Sequence, residues 1–145
     1  MHVDLYVETS IRGPRRQNGT FGYILVYITK SGEEATLCDF VNKKDVTPHE
    51  IELEAIIKAL GRLNKKCDVS VIAGNPYVAD MTSNLQKWKG NGWITAKGED
   101  IKNKELWQQL EELLEKHQVT FGGDDTGYQK WLINEVKRKG EQQHV

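Results

Sequence analysis

Thr47-Pro48-His49-Glu50-Ile51-Glu52-Leu53-Glu54-Ala55 is where the chain changes its period. Thr47 and Glu50 flank Pro48 at the spacing of a capping box, with proline in the first helical position. The helix that opens here is predicted to run to about Asn64. Its phase separates two acids of the same type. Glu52 shares a face with Ile56, Ala59 and Leu63, whereas Glu54 shares one with Lys58 and Gly61. Glu54 is therefore expected to point to water, with a lysine one turn away. Glu52 is expected along the apolar flank, where a carboxylate is costly without a partner. A metal ion would supply that partner; a backbone group or water is the alternative.

Upstream of this helix the period is two. Val3-Asp4-Leu5-Tyr6-Val7-Glu8 alternates apolar and polar residues, the pattern of a strand that ends on an acid. Gly13-Pro14 and Asn18-Gly19 punctuate a loop. Residues 21–29 and 34–41, joined through Ser31-Gly32, read as two further strands of a meander. Downstream, residues 68–73 make a fourth strand and residues 77–88 a helix. Residues 89–100 form a basic loop. Asn103 is placed to cap a helix over 104–117 with Leu106, Trp107, Leu110, Leu113 and Leu114 as its stripe. Residues 119–122 give a short fifth strand. Asp125 or Thr126 would cap a last helix with Tyr128, Leu132 and Val136 on one face.

The 145 residues are enough for one core, and 38% hydrophobic with 28% charged residues is the balance of a soluble globular domain. One domain is expected over residues 1–140, with 141–145 a disordered tail. No run approaches the length that spans a bilayer. The first ten residues lack the charged start and apolar stretch of a secretory leader. Cys38 and Cys67 are far apart and read as two reduced thiols. A cytoplasmic, monomeric protein is the expectation.

The net charge of −1 gives no global basic field. The bases are nonetheless clustered. Arg12, Arg15 and Arg16 crowd the loop after Glu8. Lys87, Lys89, Lys97 and Lys102 surround Trp88 and Trp93. Such patches grip phosphates, although many are simply solvated faces.

Taken together, the element order resembles that of the ribonuclease H family. Val3-Asp4-Leu5-Tyr6-Val7-Glu8-Thr9-Ser10 is similar to the family's first strand, which ends in an acid, a small residue and Ser. Glu52-Leu53 resembles the helix that carries the second acid. Trp88-Lys89-Gly90-Asn91-Gly92-Trp93 and Ile101-Lys102-Asn103-Lys104-Glu105-Leu106-Trp107 resemble the bacterial enzymes' basic protrusion and its following helix. The likeness covers roughly residues 3–138.

The resemblance implies an α/β ribonuclease H-like fold: a five-stranded mixed sheet, three antiparallel strands then two parallel, flanked by helices. It implies binding of RNA/DNA hybrids and hydrolysis of the RNA strand with two magnesium ions, or manganese in their place, held by about four acids. Glu8 stands where the first acid is usually Asp, and Glu52 matches the second. Gly74 aligns with the third and Trp131 with the fourth. Asn75, Asp124, Asp125 and Glu135 lie near enough in sequence to be substitute metal ligands. Arg12, Arg15, Arg16, Lys87, Lys89, Lys97 and Lys102 are the expected nucleic-acid contacts. Gly74→Asp is the direct repair of the missing third acid. Two other readings remain open: an inactive nucleic-acid-binding module, and a domain that docks a protein partner.

Overall fold

A computed structural model describes residues 1–125 and 127–142. Strands β1 (His2–Thr9), β2 (Gln17–Ile28) and β3 (Glu34–Val46) form an antiparallel meander. Helix α1 (Pro48–Gly61) then crosses to β4 (Asp68–Ala73), which lies parallel to β1. After α2 (Tyr77–Met81), a 3-10 turn, α3 (Leu85–Gly90) and α4 (Lys104–Lys116), β5 (Gln118–Phe121) adds parallel to β4. Helix α5 (Tyr128–Gln142) closes the fold. The strand order is β3-β2-β1-β4-β5, the mixed sheet that the sequence predicts.

Local chemistry explains most boundaries. Thr47 accepts from the Glu50 amide at 3.1 Å, and the Thr47 amide donates to the Glu50 carboxylate at 3.3 Å, so the capping box is formed. The helix expected over 77–88 is instead broken at Thr82–Asn84. The Thr82 and Ser83 hydroxyls donate back to the Ala79 and Asp80 carbonyls, a competition that tightens a helix. Asn103 precedes α4 in a left-handed conformation and its side chain makes no cap. Asp125 does cap α5, accepting from the Gly127 and Gln129 amides at 2.9 and 3.2 Å. Thr126, the other candidate, lies outside the described residues. So do residues 143–145 of the expected tail, whereas 141 and 142 continue α5.

The sheet's alternation sorts the core into two layers. Val3, Leu5 and Val7 of β1 face α1 and α4, with Phe21, Tyr23, Leu25, Val69 and Val71 and the fully buried Trp107. Tyr6 points the other way, joining Ile24, Val26 and Ile72 under Leu132 and Val136 of α5. Helix α5 passes so close that a Cβ on Gly22 would come within 2.7 Å of Val136. Cys38 is exposed, Cys67 is buried, and both are free. Among the described residues, no helix is long and apolar enough to cross a membrane.

Candidate active site

The last parallel pair of β1 and β4 is Val7 with Ala73, and the chain turns away at Gly74. Glu8 follows Val7 and so falls on the α5 side of the sheet, at its carboxyl edge. Glu52 reaches the same edge from α1 on the opposite side. Both line a cleft of ≈ 350 Å³ with Arg12, Gly74 and Asn75. Glu52 is 2% exposed and lies on the buried face of α1 with Ile56 and Ala59, as its helical phase predicts.

The two carboxylates differ in their settings. Burial pushes Glu52 from the usual 4.5 up to about 8. The nearby Val78 amide opposes this and the Glu8 charge adds to it. That amide falls outside hydrogen-bond geometry, and neither Glu52 oxygen has a partner among the described residues. Burial also raises Glu8, but the Gln129 amide and the Arg12 charge both pull it down. Gln129 Nε2 donates to Glu8 Oε1 at 3.1 Å. Arg12 is itself pinned by donating to the Thr9 and Ile11 carbonyls at 3.0 and 2.8 Å.

A pair of buried, partnerless oxygens facing a second carboxylate fits one hard cation that keeps part of its water shell. It does not fit two. Among the described residues no three His, Cys, Asp or Glu side chains converge. Three of the four candidates that the sequence offers as substitutes are engaged elsewhere. Asn75 lines the cleft, but its side-chain oxygen accepts from the Tyr77 amide at 2.9 Å and starts α2. Asp124 is exposed in the loop before α5. Asp125 is spent on the α5 cap. Glu135 pairs with Arg138 at 2.6 Å.

Trp131 does not face the cleft. It is 46% exposed and packs edge-on against Phe40. The α5 residue that reaches Glu8 is Gln129, which sequence alignment misses. Helical phase could have found it, because Gln129 precedes Leu132 and Val136 by three and seven residues and shares their buried face. Also missed are His49 and Tyr77, whose rings stack 3.4 Å apart at 5° on the α1 side. Burial raises the Tyr77 hydroxyl and the Glu52 charge raises it further, while burial and then Lys102 lower His49.

The basic residues divide. Arg16 is committed to Asp45 at 3.1 Å and Glu50 at 3.7 Å, so it braces the loop rather than standing free. Lys89 bonds Glu111 at 2.8 Å and Glu115 at 3.5 Å. Arg15, Lys87, Lys97 and Lys102 are exposed, with no ion pair among the described residues. Glu54 is not solitary either; it pairs with Lys43 of β3 at 3.0 Å, while Lys58 pairs with Asp39.

A mixed five-stranded sheet, with one acid ending its central strand and another on the helix that follows the meander, defines a ribonuclease H-like α/β domain. The chain belongs to the ribonuclease H family: the family model described as RNase H matches residues 1–122. That match stops before α5, the element that carries Gln129. A ribonuclease H of Francisella tularensis subsp. novicida (strain U112) is 39% identical over 105 residues, covering 72% of this chain and 66% of that protein. One from Clostridium botulinum (strain Hall) is 34% identical over 125 residues, covering 82% of this chain and 79% of its own length. The chain thus spans just under two thirds of the Francisella relative's length. Among solved structures, LC9-RNase H1, described as a type 1 RNase H with the type 2 active-site motif, superposes with a TM-score of 0.75 at 19% identity. That superposition covers 97% of this chain and 71% of the other. A foamy viral protease-reverse transcriptase in complex with an RNA/DNA hybrid superposes at 0.73, also at 19% identity, over 97% of this chain and 19% of that one. At those identities the structures speak for the fold alone.

Proposed function

We propose that this chain is a ribonuclease H that hydrolyses the RNA strand of RNA/DNA hybrids with one magnesium ion held by Glu8 and Glu52. The observation that carries this reading is the buried Glu52 carboxylate, whose oxygens have no hydrogen-bond partner among the described residues and which lies beside Glu8 in an open cleft. A bound divalent ion would lower the pKa of attacking water and offset charge on the leaving oxygen. The protein's own groups supply the rest. Glu52 keeps its proton at neutral pH until a cation displaces it. Gln129 fixes the direction of the Glu8 carboxylate. Arg12, held against two carbonyls at the cleft, is set to meet a phosphate, and Arg15, Lys87, Lys97 and Lys102 are free to follow the backbone beyond it.

A second reading rests on Gly74 and Gln129, neither of them an acid. In it, the domain binds hybrids without cutting them. A labelled RNA/DNA hybrid, incubated with the protein in magnesium, manganese or chelator, separates the two. The proposal expects RNA-strand cleavage only with a cation, and its loss in Glu52→Gln. Salt-dependent hybrid binding without cleavage in either metal would leave the binding module. Neither binding nor cleavage would remove both.

A further inference from the structure

The Glu8 carboxylate and Gly74 occupy one space. A Cβ built on Gly74 would lie 2.6 Å from both Glu8 oxygens and 2.9 Å from Cδ, closer than real side chains approach. No left-handed backbone angle demands glycine at this position. The demand is for room, and Glu8 makes it. A glutamate reaches one methylene further than an aspartate, and that extra length carries the carboxylate over the start of the β4–α2 turn. There Gln129, arriving from α5, donates to it at 3.1 Å. The long acid, the missing Cβ and the amide are therefore not three separate departures from a four-acid pattern.

We propose that Glu8, Gly74 and Gln129 are one coupled unit: Gly74 clears the space for the longer acid, and Gln129 is the positioning residue that holds its carboxylate toward the cation site. This deepens the proposed function and rests on it for the cation, while the contact itself does not. A direct consequence concerns repair. Gly74→Asp alone would push Glu8 out of place before it added a ligand. The added acid would be accommodated only together with Glu8→Asp.

Gly74→Ala is the smallest probe. The atoms it meets are the far end of a flexible side chain, so the variant is expected to fold with the carboxylate displaced. Magnesium affinity, measured by calorimetry, should fall about tenfold in Gly74→Ala and in Gln129→Ala, a loss of about 1.4 kcal/mol each. In a Glu8→Asp background the shorter acid has withdrawn, so adding Gly74→Ala should change affinity by less than twofold. The Gln129 side-chain amide resonances, followed by NMR without any cation, should shift in Gly74→Ala. They should be the same in Glu8→Asp and in Glu8→Asp/Gly74→Ala. Equal effects of Gly74→Ala in both backgrounds, or Gln129 resonances that ignore Gly74→Ala in the parent, would overturn the coupling. If the parent binds no magnesium, the proposed function fails, and the resonances still decide the coupling on their own.

Discussion

The inner face of the sheet lies under α1 and α4 and buries Trp107, Leu110 and half of α1, whereas the outer face, among the described residues, lies under α5 and buries Leu132 and Val136. The candidate site straddles this difference. Glu52 is delivered by the thick layer, Gln129 by the thin one, and Glu8 stands at the strand end between them. The position of Glu52 should be as stable as the whole fold. That of Gln129 should be only as stable as the docking of α5, which can open locally at lower cost.

The largest effect should come from the thick layer. Trp107 is fully buried, and Trp107→Ala should cost about 4 kcal/mol in urea unfolding, against about 2.5 kcal/mol for Leu132→Ala. Native-state hydrogen exchange should show α5 amides opening before those of α1. A larger loss from Leu132→Ala, or α1 exchanging first, would break the contrast.

Next comes the acid that the thick layer buries. Glu52 binds its proton more tightly folded, near 8, than unfolded, near 4.5. The folded state therefore holds an extra proton between those values, and stability falls as pH rises through that window. Glu52→Gln has no such slope. It should be more stable than the parent by on the order of 2 kcal/mol at pH 8.5, with the advantage fading as pH falls from about 8 and gone by about 4.5. Thermal melts at three pH values read this directly; a parallel pH profile for the two proteins would remove the buried-acid account.

The same proton must leave when a cation binds. Magnesium affinity should rise by up to about tenfold per pH unit below 8 and level off above it, with proton release visible as buffer-dependent heat. An affinity that is flat from pH 6 to 8.5 would mean that Glu52 is already ionised or is no ligand. The smallest effect belongs to Glu54, which pairs with Lys43 on the half-exposed flank. Glu54→Gln should cost about 0.5 kcal/mol and leave cation affinity within twofold.

Legibility in the sequence followed the range of the interaction. The capping box at Thr47 and the phase of Glu52 are local, and both read correctly. The strand alternation in residues 3–8 sorted Val3, Leu5 and Val7 from Tyr6 and Glu8 onto the right faces. The break at Thr82–Asn84 depends on hydroxyls that donate backwards along the chain, a choice that helical propensity hides. Arg16 read as a free base because Asp45 is far along the chain and bonds it only when β2 and β3 pair. Gln129 was lost for a different reason. The loop before α5 is short, so alignment across it slid to Trp131, although the helix's own stripe marks Gln129 as inward. The overlap of Glu8 with Gly74 exists only in three dimensions.

Trp131 gives the molecule an optical consequence. Trp88 lies 6.4 Å from Trp93 and 5.3 Å from Trp107, a nest of indoles under α4, while Trp131 is alone on the far side of the sheet and open to solvent. Iodide should quench the long-wavelength part of the emission first, and that part belongs to α5. With Trp131→Phe as its blank, the unlabelled protein carries a fluorophore for the departure of the helix that holds Gln129, separate from the signal of the core.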